Sequence, residues 1–298
     1  MKKFRFKKLD AFAAGLSSGN PAGMITVDSL ADITVDEMQQ IARELRGFVS
    51  EVGFVCRTGP DRLALRYFSA EREVLFCGHA TIAILYDLLA NDPDLRHLPV
   101  IHFDTTTSRL IAENRVASEN AVFISAPDPV SGRQDIAAAA IATSLGIEPE
   151  VISTTLPTME INAGLETLIV PFTDLRSTLT VQPDQDRLKR FCEDQAIDIV
   201  TVFTAETARP DTAWRSRVFA PRFGYLEDPA TGSGNAALGH YLLQLGLWQG
   251  EMLTIEQNGD RDRPNIVKLM ARERGNGERQ VLVGGGAVSR IEGIYLLR

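Results

Sequence analysis

The sequence predicts an α+β protein of two pseudo-symmetric halves, each with mostly antiparallel strands around one central helix. Two observations carry this. Residues 78–89 align without a gap on residues 232–243: each stretch is a glycine, a polar side chain, then an apolar helical run. Each copy also follows an aromatic-bearing strand that opens on arginine, Arg66 in the first and Arg217 in the second. A repeat of this length, so far apart in one chain, implies two similar halves facing one another.

Taken in order, the first half opens with a strand into Asp10, Ala11 and Phe12, with Phe4 and Phe6 alternating along it. A loop of small residues follows (Gly15, Ser17, Ser18, Gly19, Asn20, Pro21), then a strand at 24–27. Thr34 is an N-cap, and Asp36 and Glu37 fall in the first turn of a helix running to about Leu45. Strands at 52–56 and 63–68 lead through 74–77 into the first repeat helix, and strands at 100–103 and 109–113 close this half. The second half opens with a strand at 121–125 and an alanine-rich helix at 136–145 ended by Gly146. Short strands at 152–155, 160–161 and 167–170 precede a helix at 188–195 and a β-branched strand at 197–204. The second repeat spans 217–246, and strands follow at 252–256, 266–270 and 281–283. Gly284, Gly285 and Gly286 permit a sharp reversal before a last strand at 293–297. The expected partition is 1–118, with the C-terminal strand 287–298 returning to it, and 119–286. No long linker separates the halves, so the active surface is expected in the cleft between them.

Composition narrows the function. With 44% hydrophobic and 23% charged residues in 298, the chain reads as soluble and globular. A net charge of -8 argues against a nucleic-acid surface. No apolar run approaches the length needed to span a bilayer, and the basic N-terminus lacks the apolar stretch of a signal peptide. Three cysteines with no metal spacing fit a reducing cytoplasm, and four scattered histidines form no ligand cluster, so no metal is expected.

The two helix entrances carry the chemistry. Helix N-termini attract anions, so N–H groups near Gly78–Ala80 and Gly232–Gly234 are candidates to hold one. His79 sits just inside the first entrance, with Cys77 before it; Asp228 and Ser233 flank the second. Asp228 and Ser233 are also good helix caps, and that reading competes with ligand contact. A helix N-terminus disfavours protonation of His79. Cys77 reads as a small buried hydrophobe or as a thiolate beside the helix dipole. Glu51 lies among strand-forming apolar residues, either on a solvent face or under an apolar wall that raises its pKa and suits general acid/base work.

These residues together resemble the phenazine-biosynthesis PhzF-like isomerase family, whose fold is that of diaminopimelate epimerase. The resemblance rests on Asp10-Ala11-Phe12 with Gly19-Asn20-Pro21-Ala22, Ser50-Glu51 before Phe54-Val55, and Cys77-Gly78-His79-Ala80-Thr81. It continues with Arg217-Val218-Phe219-Ala220-Pro221, Glu227-Asp228-Pro229-Ala230-Thr231-Gly232-Ser233, and Gly284-Gly285-Gly286-Ala287-Val288. It implies a barrel-like sheet around the central helix of each half, cofactor-free proton transfer at carbon, and a homodimer. It implies that Glu51 is the acid/base, that the catalytic His79 and Asp228 polarise or orient the reacting frame, and that these and Ser233 surround a small anionic metabolite. Substrate contact is expected to extend to Asn20, Ser50, Gly78 and Ala80 in the first half, and to Thr231, Gly232 and Gly234 in the second. Related epimerases place a cysteine at each helix entrance. Here Cys77 aligns with Thr231, whose hydroxyl is far too weak an acid to replace a thiol, which argues against a two-thiol racemase. The remaining alternatives are a cysteine-type epimerase and a catalytically silent binding protein.

Overall fold

Phe4 and Phe6 point inward from the first strand, Lys2–Ala11, which pairs antiparallel with Asn20–Thr26 on one side and Ala287–Leu297 on the other. The computed structural model describes residues 1–132, 136–275 and 277–298. Its contacts divide the chain into one unit of 1–124 with 284–298 and a second of 125–283.

In the first unit Asn20–Thr26 runs parallel to Glu51–Gly59, which pairs antiparallel with Arg62–Ser69. Arg62–Ser69 takes Glu73–Val74 antiparallel and Val100–Asp104 parallel, and Val100–Asp104 pairs antiparallel with Arg109–Arg115. The second unit repeats the pattern sign for sign. Met159–Asn162 pairs antiparallel with Glu166–Pro171, which runs parallel to Ile199–Thr204. Ile199–Thr204 pairs antiparallel with Trp214–Phe219, which takes Glu227–Asp228 antiparallel and Leu253–Gln257 parallel. Asn265–Glu273 completes the series antiparallel to Leu253–Gln257. The repeat seen in sequence is therefore a repeat of topology, and the fold is the expected α+β arrangement, with mostly antiparallel strands around a central helix in each unit.

Those helices are Gly78–Asn91 and Gly232–Gln244. Ala80, Thr81, Ile82, Ala83, Ile84 and Leu85 are all buried in succession, so the first helix is enclosed on every face along those turns. The one acid on this stretch, Asp87, is paired with Lys7 at 2.9 Å. Gly53, on the strand under the helix, admits the close approach, since a Cβ there would lie 2.3 Å from Ile84 Cδ1. A second layer, the helix Val35–Glu44, buries Met38, Ile41 and Ala42 against Phe4, Phe54 and Phe68. Its N-terminus is the expected Thr34, closed into a capping box with Glu37.

Several local expectations are corrected. Asn20 and Pro21 already belong to a strand, so the opening loop is shorter than the small-residue run suggests. Residues 152–155 form no strand: a single 3-10 turn, Pro149–Val151, precedes an isolated bridge from Ile152 to Phe172. The short helix Leu175–Thr180, capped by Asp174, was not anticipated. The last strand begins at Ala287 rather than near 293, where exposed side chains hid it. Gly284 and Gly286 serve close packing rather than unusual backbone angles. A Cβ on Gly284 would lie 2.4 Å from the Phe123 ring, and one on Gly286 would lie 2.9 Å from the Asn120 carbonyl. Gly284→Ala is therefore expected to destabilise by about 1–3 kcal/mol, the usual range for an overpacked core. Denaturant unfolding checks this; an unchanged midpoint would mean that the Phe123 ring moves aside freely.

Candidate active site

Glu51 starts its strand at the point where two neighbours flank it: Ala22 lies opposite in the parallel partner and Ser69 in the antiparallel one. Its carboxylate is directed at the entrance of the Gly78–Asn91 helix. His79 Nε2 lies 3.2 Å from Glu51 Oε2, and the two side chains are only 13% and 22% exposed. Cys77 Sγ donates to the same Oε2 at 3.7 Å and lies 3.4 Å from His79 Nδ1. A protonated imidazole satisfies the carboxylate, with Nε2–H on Glu51, while the sulfur lies beside the ring, within 3.9 Å of both nitrogens. Ser50 and Asn20 are adjacent: the Ser50 hydroxyl donates to Asn20 Oδ1 at 3.4 Å, and the Ser50 N–H to the Pro21 carbonyl at 3.0 Å. Asn20, Ser50, Glu51, Gly78, His79 and Ala80, the expected residues of the first half, thus lie in one unit and around one helix entrance.

The electrostatics differ from expectation in two respects. Burial pushes the Glu51 carboxyl up, but the hydrogen bond and charge of His79, with the Cys77 thiol, outweigh it, and the net pKa is below the ordinary value. Burial likewise pulls His79 down, yet contact with Cys77 and Glu51 more than offsets this, and its pKa lies well above the ordinary value. The expectation of a neutral imidazole fails because contact with the Cys77 sulfur and with the Glu51 carboxylate at 3.2 Å together outweighs burial. Burial pushes the Cys77 thiol up, His79 opposes, Glu51 reinforces, and the net direction is up. Cys77 thus resists ionisation, and Cys77 and Glu51 together are the contacts that favour the imidazolium. The sequence showed no metal spacing, because Glu51 is distant in the chain; the fold nonetheless gathers its oxygen with Cys77 and His79 within 4.8 Å of one another.

The second entrance is built on the same plan from different atoms. The N-cap residues Cys77 and Thr231 have near-identical backbone angles (φ -133, ψ 104 and φ -124, ψ 112), and neither side chain caps its helix. At the matching place in each first turn, Thr81 Oγ1 donates to the Cys77 carbonyl at 2.7 Å and Asn235 Nδ2 to the Thr231 carbonyl at 2.9 Å. The Thr231 hydroxyl donates to Asp228 Oδ2 at 2.5 Å, so the competing cap reading does not describe that contact. Gln257, which sequence reasoning missed, organises this entrance. Its Oε1 accepts from the Thr231 N–H at 2.8 Å and from Asn235 Nδ2 at 2.6 Å, and its Nε2 donates to the Asp228 carbonyl at 2.9 Å. A glutamine ending a strand carries no sequence signal for that role. Gly234 fits because a Cβ would press on Val218 and Thr201 at 3.0 and 3.1 Å.

The repeated arginines lie inside their strands rather than opening them, and they are paired alike. Arg66 forms a two-pronged pair with Glu73 (2.8 and 2.7 Å) and Arg217 one with Glu227 (2.9 and 2.8 Å). Each guanidinium also lies over the phenylalanine two residues on, Phe68 and Phe219. These pairs hold the short strands from which both helix entrances begin. Among the described residues no helix is long and apolar enough to cross a membrane.

Comparison with known proteins agrees with this architecture. The chain is 30% identical over 295 residues to the uncharacterized isomerase YfhB of Bacillus subtilis, covering 97% of each chain. It is 28% identical to the trans-2,3-dihydro-3-hydroxyanthranilate isomerase of Pseudomonas chlororaphis, covering 97% of this chain and 98% of that one. The crystal structure of a PhzF-family phenazine biosynthesis protein from Bacillus anthracis superposes with a TM-score of 0.88 over the whole of both chains, at 23% identity. A hydroxyproline epimerase from Agrobacterium vitis shares the fold more distantly, with a TM-score of 0.56 at 12% identity, covering 98% of this chain and 92% of that one. The sequence profile of the phenazine biosynthesis-like proteins matches residues 9–293, nearly the full length. With its repeated topology and relatives named as isomerases, the chain belongs to the phenazine biosynthesis-like (PhzC-PhzF) family.

Proposed function

We propose that this isomerase works without a cofactor, shifting a proton between carbons of a small carboxylate-bearing metabolite, with Glu51 as acid/base. The observation that supports it is the half-buried Glu51 carboxylate, held by His79 at 3.2 Å beside a helix N-terminus. Both His79 and Cys77 engage Oε2, which leaves Oε1 to take the proton. The carboxyl then returns a proton, the same one or one exchanged with solvent, to another carbon on the same face. Because its pKa is lowered, Glu51 is a weak base, so the carbon acid must be activated by conjugation that spreads the developing charge. The first-turn N–H groups of Gly78 and His79, which no helix can satisfy internally, suit the substrate carboxylate, with Ala80, whose N–H is directed at the Cys77 sulfur, beside them. Asp228, with His79, is proposed to polarise or orient the reacting frame, and Thr231, Gly232, Ser233 and Gly234 are proposed as contact positions at the second helix entrance.

The compound named for the Pseudomonas relative, trans-2,3-dihydro-3-hydroxyanthranilate, is the first substrate to try, within a panel of unsaturated, amino and hydroxy acids. Proton NMR of the mixture reads the shift of a double bond; a panel left entirely unchanged would count against the proposal. The pH profile is a second check. The carboxylate form of Glu51 is lost only as pH falls through a pKa below 4.5, and the imidazolium of His79 as pH rises through one well above 6.5. A plateau of kcat/KM between those limits is expected; an acidic limb above pH 4.5 would contradict it.

The cysteine-type epimerase deserves its own test because Cys77 lies 3.7 Å from Glu51. Cys77→Ala is expected to retain turnover, since the thiol resists ionisation and Thr231 offers no second one. An inert Cys77→Ala protein with unchanged unfolding would favour the thiol mechanism instead.

A further inference from the structure

We propose that Glu51, Cys77 and His79 form a three-ligand site for zinc or a similar soft divalent cation, whose occupation withdraws the Glu51 carboxylate and stops turnover. The inhibitory half rests on the acid/base reading of Glu51; the binding half does not.

Geometry carries the inference. Structural and catalytic zinc takes sulfur at about 2.3 Å and nitrogen or oxygen at about 2.0–2.2 Å, so the edges of a tetrahedral set run to about 3.3–3.6 Å. Here Nε2 and Oε2 are 3.2 Å apart, Sγ and Oε2 3.7 Å, and Sγ and Nε2 3.9 Å. The edges need only a few tenths of an ångström of contraction, but Sγ lies closer to Nδ1, at 3.4 Å, than to Nε2, so seating the ion also requires the imidazole to turn about its Cβ–Cγ bond until the Nε2 lone pair faces both the sulfur and the carboxylate. Its corners are one sulfur, one nitrogen and one oxygen, a mixed donor set that zinc accepts and magnesium or calcium does not. The corners also sit on stiff elements, the N-cap and first turn of an enclosed helix and the start of a central strand. Three protein ligands leave the fourth position open to water or to a substrate carboxylate. The matching place in the second unit holds Asp228, Thr231 and Ser233, which offer neither sulfur nor imidazole, so the site is particular to the first helix. On binding, the thiol proton passes to solvent and the sulfur coordinates as thiolate.

Cobalt(II) reports the geometry without reference to activity. Titration of the metal-free full chain with cobalt is expected to give one equivalent of thiolate-to-cobalt charge-transfer absorption and the intense visible bands of tetrahedral coordination. Cys77→Ser should abolish the charge-transfer band, Cys192→Ala should keep it, and His79→Gln should weaken zinc binding by more than about 100-fold in chelator competition, beyond the loss typical of an outer-shell partner. No band in the wild type, or a band that survives Cys77→Ser, would overturn the site. Zinc should also abolish turnover, and excess chelator should restore it. Turnover that persists with the site filled would overturn the inhibitory half. Failure of the acid/base reading itself shows separately, as turnover retained by metal-free Glu51→Gln.

Discussion

Glu51→Gln is expected to lower kcat/KM by about 10²–10⁴-fold, the contribution of a positioned general acid/base. The substitution keeps the shape of the side chain and one oxygen for His79, so the fold should persist. What it removes is the group that takes the proton. It also removes one of the two contacts, beside Cys77, that hold the His79 pKa up against burial. The titration of His79, followed by NMR, should therefore move to lower pH in the variant. This second readout separates the role of Glu51 as base from a general loss of structure. A variant with near-normal kcat/KM would mean that another group moves the proton; a His79 titration that stays in place would mean that Glu51 is not its counter-charge.

Breaking the Arg215–Glu256 pair should have the largest effect on stability. Both side chains are fully buried, 2.8 Å apart, in adjacent parallel strands of the second unit. Glu256 also accepts from the Ala208 and Arg209 N–H groups and from Thr212, while Arg215 donates to the Asn258 and Asp260 carbonyls. Removing one partner leaves the other charge buried without its counter-ion, which costs about 3–5 kcal/mol. Arg215→Met and Glu256→Gln are each expected to lose that much in denaturant unfolding. The exposed Arg209–Asp211 pair, at 3.0 Å, is the control: Asp211→Asn should cost no more than about 1 kcal/mol. Glu256 precedes Gln257 on its strand, so local loosening should also disturb Thr231 and Asp228, to which Gln257 is bonded. Equal effects at the buried and exposed pairs would contradict this account.

The features legible in the sequence were those written locally or written twice. The Thr34 cap and the Gly146 stop are short-range signals, and both appear in the structure. The two glycine-led helices were readable because the same pattern recurs, and their surrounding strands follow an identical order of parallel and antiparallel pairings. The helix Leu175–Thr180 and the bridge at Ile152 were not readable, since short elements carry too little periodicity to separate from loop. The candidate site divides in the same way. His79 and Cys77 were visible as a helix entrance. Their contact with Glu51 joins residues 26 apart for Cys77, and only the fold supplies it. Hence both pKa shifts run against what burial and the helix dipole alone imply: those are readable from the chain, but the mutual contacts of Cys77, His79 and Glu51 are not. Gln257 and the Glu73 and Glu227 partners of the repeated arginines were hidden for the same reason, being ordinary polar residues until the strands bring them together.

The most direct test is incorporation of deuterium from solvent into substrate carbon, followed by mass spectrometry with wild type and Glu51→Gln in parallel. Removal of a proton by an exchangeable carboxylate predicts uptake with the wild type and its loss in the variant. Uptake of equal extent in both would contradict the account, because the proton would then be moving through a group other than Glu51.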